Sequence, residues 1–450
     1  MTTTASAMPS DSTTPREPIT IALLGSGVVG TSVARELTQN AADFEARIGA
    51  PLQIVGVAVR NTRKDRSETG LPADAFTTDA QALVDGADIV VELMGGDEPA
   101  KSLITRALSN GSSVVTANKA LLGSDGPELY QLAMDHGVDL SYEAAVAGAI
   151  PLIRPLRESL AGDGVTKVLG IVNGTTNFIL DKMHRTGADL QDVLAEAQEL
   201  GYAEADPTAD VEGYDAQAKA AILASLAFHT RVRTSDVHVE GIMNITAEDI
   251  TAARRAGCVI KLLAIAEKVE RGEADGGAGV NVRVHPVLLS RSHPLASVHE
   301  AFNAVFVETE LAGELMFYGR GAGGDPTASA VLGDIVQAAH HRVTGGRGSG
   351  ESAYADLPIL PIGESLTRYV VRVEVADEPG VLGRVTSAFG EHGVSIESMR
   401  QGVRRSEDGL ASLTFMTHQA PEAALAATVD SIKKLADVDC VSSVLRAEGN

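Results

Sequence analysis

A glycine-rich turn between an apolar strand and a helix restricts the fold of this chain more than any other segment. It reads Ile21-Ala-Leu-Leu-Gly25-Ser-Gly27-Val-Val-Gly30 and leads into a predicted helix, Thr31 to Leu37. The first glycine permits a tight turn, the second a close approach of the backbone to a ligand, and the third close packing of helix on strand. The pattern predicts a parallel α/β sheet whose first helix receives the pyrophosphate of a dinucleotide; a glycine-rich turn without nucleotide is the alternative.

The rest of residues 19–150 alternates strands and helices as such a sheet requires. Short apolar runs predict strands at Ile19 to Leu24, Leu52 to Val59, Asp88 to Leu93, Ser113 to Thr116 and Asp139 to Tyr142. Sheets of this kind bind ligands at the carboxyl ends of their strands. The residues that follow the third and fourth strands are therefore expected at that edge: Met94, Gly95, Thr116 and Lys119. An exposed lysine is the alternative for Lys119.

The residues after the second strand bear on the choice of nicotinamide cofactor. An NAD-preferring site usually offers an acidic side chain there to the ribose hydroxyl. This chain instead has Arg60, followed by Arg63 and Lys64. Because a guanidinium can pair with a 2′-phosphate, the sequence favours NADPH over NADH, with Arg60 as the expected contact. An exposed basic loop is the alternative.

From residue 151 to 343 the pattern changes to long helices mixed with strands, which predicts a sheet covered by helices on one face. Helices are predicted at Leu190 to Leu200, Ala216 to Phe228 and Ala247 to Glu270, and strands at Gly279 to Val284 and Ala304 to Glu310. Asp325-Pro326 then opens a helix to about His341, with Asp325 as the expected cap.

Residues 344–365 are rich in Gly, Ser and Pro and predict a linker to a separate module, 366–450. That module has the strand-helix-strand-strand-helix-strand order of a ferredoxin-like fold. Its turn Asp377-Glu-Pro-Gly380-Val381-Leu382 joins the first strand to the first helix and exposes backbone N–H groups to a small ligand. A plain βα turn is the alternative.

Composition narrows the possible partners and location. A net charge of −23 disfavours nucleic acid and an anionic membrane, and no apolar run reaches membrane-spanning length. The 2 cysteines, Cys258 and Cys440, are too few for a disulfide framework, so we expect a reducing cytoplasm. Residues 1–18, rich in Thr, Ser and Pro, predict a disordered tail.

The most charged segment, residues 201–219, predicts a binding site between two helices. It contains Glu204, Asp206 and Asp210 around a proline-broken turn, then Asp215 and Lys219 one helical turn apart. Carboxylates can hold a cationic substrate, and a lysine can give it a proton. On spacing alone, an exposed salt bridge explains Asp215 and Lys219 equally well.

Four segments together resemble the catalytic domain of homoserine dehydrogenase. They are Tyr142-Glu143-Ala-Ala-Val146-Ala-Gly148-Ala-Ile150-Pro151, Gly170-Ile-Val-Asn173-Gly174-Thr175-Thr176-Asn177, Gly201-Tyr202-Ala-Glu204-Ala-Asp-Pro207 and Asp215-Ala-Gln-Ala-Lys219. The glycine turn and Thr116-Ala-Asn-Lys119 fit the same family, and residues 366–450 resemble an ACT domain. The fold class expected is α/β, with a Rossmann-type domain at 19–150, an α+β catalytic and dimerisation domain at 151–343 whose helix 325–341 returns to the first, and the ACT domain.

The resemblance implies reversible, NADPH-dependent reduction of L-aspartate 4-semialdehyde to L-homoserine, in threonine, methionine and isoleucine biosynthesis, with NADH possible. It implies Lys219 and Lys119 as catalytic residues, with Lys219 as the proton donor. It implies substrate contacts from Glu204, Asp215, Asp210, Thr175 and Tyr202. Cofactor contacts would come from Gly25, Gly27, Val28, Val29, Gly30, Arg60, Met94, Gly95, Thr116, Lys119, Gly201 and Gly321. A homo-oligomer, dimer or tetramer, and threonine feedback through Asp377, Gly380, Val381 and Leu382 are also implied.

Glu143, with the carbonyls of Val146, Gly148 and Ile150, resembles the family's site for a monovalent cation. One carboxylate with backbone oxygens is a hard ligand set that suits sodium better than zinc. A buried strand-end glutamate paired with a basic group is the alternative.

Two other functions stay open at the level of sequence. A semialdehyde dehydrogenase that forms an acyl intermediate would need a cysteine nucleophile, and neither Cys258, within a helical pattern, nor Cys440, in the last module, is well placed. A nucleotide-sensing regulator without chemistry would have no need of Lys119 and Lys219.

Overall fold

The structure is a computed structural model that describes residues 16–271, 277–403 and 410–449 of the 450-residue chain. Of the predicted tail, 1–18, all but the last three residues lie outside this part. Within these ranges, no helix combines the length and the apolar character needed to cross a membrane.

The first domain is a six-stranded, fully parallel sheet with strand order β3-β2-β1-β4-β5-β6. Its strands are β1 (Ile19–Leu24), β2 (Leu52–Ala58), β3 (Phe76–Thr77), β4 (Ile89–Glu92), β5 (Ser113–Thr116) and β6 (Leu140–Ser141). Its helices are α1 (Val28–Gln39), α2 (Ala41–Ile48), α3 (Ala80–Asp85), α4 (Ala100–Ser109) and α5 (Lys119–His136). The strand order reverses between β1 and β4, so the crevice for a ligand opens at their carboxyl ends.

The second domain packs helices on an antiparallel sheet with the order β12-β11-β7-β9-β10. The strands are β7 (Val165–Ile171), β8 (His238–Val239), β9 (Cys258–Val269), β10 (Gly279–Ser290), β11 (Phe302–Thr309) and β12 (Glu314–Arg320). The helices are α6 (Gly174–Thr186), α7 (Leu190–Glu199), α8 (Thr208–Val211), α9 (Tyr214–Phe228) and α10 (Ala247–Arg255). The apolar residues of α9 are mostly buried in the same core as those of β9 and β10.

The long helix predicted from Ala247 to Glu270 is wrong. Helix α10 ends at Arg255, Gly257 adopts a left-handed φ of 72°, and Cys258–Val269 forms strand β9. Eight consecutive residues of β9 are buried because the strand lies in the middle of the sheet with both faces covered. A continuous apolar run of this kind lacks the alternation that distinguishes a strand from a helix.

Helix α11 (Gly324–Thr344) packs in the core of the first domain, where Ala328, Val331 and Ile335 lie with residues of β1 and α1. The predicted cap at Asp325 is wrong, because Gly323 is the cap residue. The Asp325 carboxylate instead accepts hydrogen bonds from Ser32 and Arg35 of α1, at 2.8 and 2.7 Å.

The C-terminal module is a four-stranded antiparallel sheet with the order β17-β13-β15-β14, backed by two helices. Its elements are β13 (Leu366–Ala376), α12 (Val381–Glu391), β14 (Ile396–Val403), β15 (Leu410–Thr417), β16 (Ala420–Pro421), α13 (Glu422–Ile432) and β17 (Val438–Glu448). This is the ferredoxin-like order expected from the sequence.

The C-terminal module is joined to the second domain by strand pairing as well as by the segment 344–365. Strand β17 pairs with β10 in parallel, through Val287 and Arg446 among others, so one sheet runs through both domains. The segment before the module is held against β10, since Val280 donates to Pro358 O and Leu360 donates to Val280 O, at 2.9 and 2.8 Å. Residues 355–361 are therefore hydrogen-bonded to the second domain and do not act as a flexible spacer.

Candidate active site

Asp215 lies between two lysines at the start of α9. Its Oδ2 accepts a hydrogen bond from Lys219 Nζ at 2.7 Å, and its Oδ1 lies 2.7 Å from Lys119 Nζ. Lys219 also donates to the carbonyl of Val172, at 2.7 Å. The Asp215 and Lys219 side chains are buried, whereas that of Lys119 is 43% exposed. The exposed salt bridge considered from spacing alone is therefore excluded.

The local fold explains how these groups meet. Gly213, with a left-handed φ of 86°, begins α9, whose buried apolar face fixes the helix on the sheet. Asp215 and Lys219 follow one turn apart on the same side. Lys119 is the first residue of α5, and Asn118 holds that helix start against the turn after β4 by donating to Gly96 O at 2.7 Å. Both lysines thus reach the edge where β4 and β5 end.

Asn173 organises the carboxylates, although the sequence analysis gave it no role. Its Nδ2 donates to Asp210 Oδ1 at 2.7 Å and to Asp215 Oδ2 at 2.9 Å. Its Oδ1 accepts the N–H of Thr176 and so caps α6. Asparagine directly before a helix was the available signal, since it is a preferred cap residue.

Burial and charge act in opposite directions on this group. Burial alone would raise the pKa of Asp215, but the two ammonium groups outweigh it and hold that pKa well below its usual range. Burial lowers the pKa of Lys219, and the neighbouring carboxylate of Asp215 partly opposes this effect. Burial raises the pKa of Asp210, which the hydrogen bond from Asn173 opposes. The cluster thus contains a firmly ionised carboxylate beside a lysine that releases its proton more readily than an exposed one.

The other expected substrate residues lie at different distances from this cluster. Thr175 Oγ1 donates to the carbonyl of Tyr202 at 2.6 Å, and the Tyr202 ring packs on Phe178 with centroids 4.8 Å apart. Glu204 is exposed, and its side chain forms no hydrogen bond or ion pair with the described residues. The structure therefore brings Thr175 and Tyr202 to the rim of the site but does not join Glu204 to Asp215. Gly201, with a φ of 76°, is the exposed turn that precedes this rim.

The glycine turn has the shape that a dinucleotide requires. A Cβ on Gly30 would lie 2.3 Å from Gly25 O, and one on Gly25 would lie 2.9 Å from Leu93 O, so both glycines permit close packing. A Cβ on Gly27 would meet no atom within 4 Å, which leaves the turn open toward solvent. The start of α1 has no side-chain cap, and Val28 is 75% exposed while Val29 is half-buried. Free N–H groups beside an open turn fit a pyrophosphate.

Glu92 fixes the backbone after β4, beside the glycine turn. This role was not predicted from the sequence. The buried Glu92 carboxylate accepts the N–H groups of Met94 and Gly95, at 2.8 and 2.9 Å, and the hydroxyl of Thr116 at 2.7 Å. Met94 is 36% exposed, with its side chain at the rim. A charged residue at the end of an otherwise apolar strand was the signal.

The loop after β2 lies at the same carboxyl edge of the sheet as the glycine turn. It exposes Arg60, Arg63 and Lys64. The Arg60 side chain forms no hydrogen bond or ion pair within the described part of the chain. Its guanidinium is therefore available to a ligand phosphate.

Gly321 lies in the loop through which the chain returns from the second domain to the glycine turn. A Cβ on Gly148 would lie 2.4 Å from Gly321 O, so the two backbones touch. A Cβ on Gly324 would lie 2.8 Å from the Val28 side chain, which places the start of α11 against the start of α1. The loop 321–324 thus lies beside the expected pyrophosphate position.

The Glu143 carboxylate is bound to protein donors. It accepts the backbone N–H groups of Leu152, Ile153 and Arg154, and Arg154 Nε lies 3.3 Å from Oε2. This arrangement fits the alternative, a buried glutamate paired with a basic group, and the role of Glu143 as a cation ligand stays a prediction. Val146, Gly148 and Ile150 follow in one buried turn. No group of three or more His, Cys, Asp or Glu in the described ranges could hold a metal ion.

The turn before α12 has the expected backbone form. Gly380 begins the helix with a φ of 90°, Val381 is buried, Leu382 is half-buried, and Asp377 is exposed. Arg384 lies over the turn and pairs with Asp437.

Cysteine chemistry has no support at the site. Cys258 begins β9, within a cleft between α10 and the face of the C-terminal sheet, and burial raises its pKa. Cys440 is exposed in β17. Neither thiol lies among the residues around Asp215.

Comparison with known proteins agrees with this arrangement. Residues 25–143 match the family of the homoserine dehydrogenase NAD-binding domain, residues 151–336 match homoserine dehydrogenase, and residues 369–437 match the ACT domain. A homoserine dehydrogenase of Corynebacterium glutamicum is 54% identical over 96% of both chains, and one of Bacillus subtilis is 41% identical over 96% of this chain and 99% of its own.

Solved structures show the same likeness. A homoserine dehydrogenase from Thiobacillus denitrificans superposes with a TM-score of 0.89 at 39% identity, covering 96% of this chain and 98% of its own. A hyperthermophilic archaeal homoserine dehydrogenase in complex with NADPH superposes with a TM-score of 0.59 at 29% identity, covering 72% of this chain and 98% of its own. The chain therefore belongs to the homoserine dehydrogenase family, as an NAD(P)-dependent oxidoreductase of amino-acid biosynthesis that acts on a CH–OH group and carries an ACT domain.

Proposed function

We propose that this chain reduces L-aspartate 4-semialdehyde to L-homoserine, reversibly and with NADPH, in the pathway to threonine, methionine and isoleucine. The observation that carries the proposal is Asp215 held between Lys219 and Lys119, both at 2.7 Å, at the sheet edge that also forms the glycine turn. A carboxylate of this kind suits the α-ammonium of the substrate, and an ammonium group beside it suits the carbonyl oxygen.

Lys219 is the proton donor in this proposal. Its Nζ gives a proton to the carbonyl oxygen as that oxygen becomes a hydroxyl, and takes one back in the oxidation of homoserine. NADPH, when bound, supplies the hydride. Lys119, more exposed, orients the substrate from the cofactor side, while Asp210 and Asn173 keep Asp215 in place. Thr175, Tyr202 and Glu204 lie on the segments that would close over the amino-acid end of the substrate.

The preference for NADPH rests on Arg60. It is exposed at the end of β2, where the 2′-position of the adenosine ribose lies in sheets of this type, and no acidic residue occurs from 60 to 64. The archaeal relative that was solved with NADPH supports the same choice.

The remaining parts of the proposal concern regulation and ions. Threonine is proposed to act through the ACT domain at the turn of Asp377, Gly380, Val381 and Leu382, in a dimer or tetramer. A monovalent cation, sodium by preference, is proposed at the turn 143–150, with Glu143 and the carbonyl oxygens of Val146, Gly148 and Ile150 as its ligands.

The decisive experiment follows nicotinamide absorbance with the full-length protein. We expect NADP-dependent oxidation of L-homoserine, loss of most turnover in Lys219→Ala, and near-normal turnover in Lys101→Ala, whose lysine pairs with Asp125 and not with Asp215. Absence of any signal with NADP or NAD, in sodium or potassium, would refute the proposal.

A further inference from the structure

Two strands from different domains share one edge of β10. Strand β8 pairs with it at Arg283 and Val284, and strand β17 pairs with it at Val287 to Leu289, both in parallel. Strand β9 occupies the other edge along the whole length of β10. The part of β17 around Arg446 therefore lies next to the segment that follows β8, residues 240–242.

An ion pair joins these neighbours. Arg446 of β17 donates to both carboxylate oxygens of Glu240, each at 2.8 Å, and Arg446 is only 13% exposed. On the ACT side the guanidinium also donates to Glu422, which accepts the hydroxyl of Tyr369 at 2.6 Å. A bidentate pair fixes orientation as well as distance, so Glu240 is held in one position by the ACT domain.

The segment after Glu240 packs against the turn that carries Asp210 and Asp215. Ile242 donates its N–H to Val211 O at 2.8 Å, and a Cβ on Gly241 would lie 2.2 Å from the same oxygen. A Cβ on Gly213 would lie 3.0 Å from the Val239 side chain. Residues 239–242 and the turn between α8 and α9 are thus in direct contact. Because the packing is this close, a displacement of one segment has to move the other.

We infer that Arg446 and Glu240 form a positioning pair, which sets the place of the turn carrying Asp210 and Asp215 and joins the ACT domain to the substrate site. Asp210 precedes Val211 directly, and Asp215 follows Gly213 by two residues. Asn173 ties the two carboxylates together, so a shift of the turn moves both. The inference rests on the proposed role of these carboxylates in binding the amino-acid substrate.

A second ion pair across the same two domains provides a matched control. Arg372 of β13 lies 3.2 Å from Asp249 and 3.6 Å from Glu248, both on α10. It too is 13% exposed, but it connects the ACT sheet to a helix that does not carry a substrate carboxylate.

The test compares Glu240→Gln, Arg446→Gln and Arg372→Gln in the full chain. We expect the KM for L-homoserine to rise about fivefold in the first two, at the lower end of usual coupling between sites, with little change in kcat or in the KM for NADP. The double variant Glu240→Gln/Arg446→Gln is expected to match either single variant, because both remove the same pair. Arg372→Gln should leave the KM for homoserine unchanged.

Amide hydrogen exchange gives a readout that does not depend on activity. Exchange in residues 208–216 should become faster in Glu240→Gln and stay as in the wild type in Arg372→Gln. If Arg446→Gln fails to fold, Glu240→Gln and Arg446→Lys carry the test, since the Glu240 side chain is 42% exposed and leaves no deep cavity.

Equal KM values in Glu240→Gln and Arg372→Gln, together with unchanged exchange in residues 208–216, would overturn the inference. Faster exchange in residues 208–216 without a change in KM would show that the Arg446–Glu240 pair positions this turn. It would also refute the role of Asp210 and Asp215 in substrate binding. Loss of activity in the wild type itself would refute only the proposed function.

Discussion

Lys219 is buried between a carboxylate and a backbone carbonyl, and this position distinguishes it from the other lysines of the site. Replacement by Met keeps the volume of the side chain and removes the proposed proton donor. We expect kcat to fall by about 10² to 10⁴, the usual range for loss of a general acid. Lys119→Met should mainly raise the KM, because the Lys119 side chain is 43% exposed and, among the described residues, its ammonium pairs with Asp215 alone. Steady-state kinetics in both directions measure the two effects, and a larger loss of kcat in Lys119→Met would exchange the assigned roles.

The pH dependence of kcat tests the same residue without changing it. Burial lowers the pKa of Lys219, so its titration is expected below the value of about 10.4 for an exposed lysine. Reduction needs the protonated form and should slow as the pH rises through that pKa, whereas oxidation needs the neutral form and should become faster. At saturating substrate, the Lys219→Ala variant should lack this transition. A wild-type profile that is flat up to pH 10 would contradict the assignment.

Arg60 tests the cofactor preference at a single exposed residue. Arg60→Asp removes a possible partner of a 2′-phosphate and offers a carboxylate to a ribose hydroxyl. We expect the ratio of kcat/KM for NADPH over NADH to fall by about tenfold or more, the size of one lost charge-assisted bond. Arg106→Asp, an exposed arginine on α4 that pairs with Asp85, is the control. An unchanged ratio would show that the loop after β2 does not read the phosphate.

The Asn173 side chain connects three helices, because it caps α6 and also donates hydrogen bonds to Asp210 of α8 and Asp215 of α9. Asn173→Ala should cost about 1 kcal/mol of stability for the lost cap. It should also raise the KM for homoserine, because Asp210 and Asp215 lose their common donor. Thr246→Ala removes a cap of the same kind from α10 and should cost similar stability with an unchanged KM. Thermal denaturation and kinetics on both variants separate the two effects.

The elements also show where sequence reasoning succeeds and where it does not. The glycine turn and the spacing of Asp215 and Lys219 are local, and the parallel sheet and the Lys219–Asp215 contact could be predicted from them. Strand β9 could not, because its buried run acquires its conformation from neighbours on both edges of the sheet. Asn173 could be predicted as a helix cap but not as the donor to Asp210 and Asp215, which lie 37 and 42 positions further along the chain. The partner of Glu240, Arg446, lies in another domain, and a contact of this kind leaves no local pattern.

At the scale of the whole molecule, the sheet shared by the catalytic and ACT domains makes the C-terminus a structural part of the enzyme. Glu448, near the end of β17, accepts from Lys167 at 2.7 Å and from Arg283 at 3.0 Å, and the Arg283 side chain is 1% exposed. A deletion of the ACT domain would leave this arginine short of a partner and expose the edge of β10. Such a deletion therefore cannot separate the proposed threonine regulation from folding, and point variants at the Asp377 to Leu382 turn are the better choice.

The Glu448→Gln variant measures how much the ion pairs of Glu448 with Lys167 and Arg283 contribute to the free energy of unfolding. Removing the charge leaves Lys167 and Arg283 with Glu267 as their remaining ion-pair partner among the described residues, at 3.5 and 2.7 Å. We expect a loss of about 3 kcal/mol in the free energy of unfolding, as for other buried ion pairs that lose one member. Glu397→Gln, which removes a more exposed partner 3.6 Å from Arg368 in the same domain, should change stability by less than about 1 kcal/mol. Denaturant unfolding of both variants makes the comparison, and equal losses would mean that the two domains are held together by β-strand pairing and apolar contacts alone, without a contribution from the buried charges.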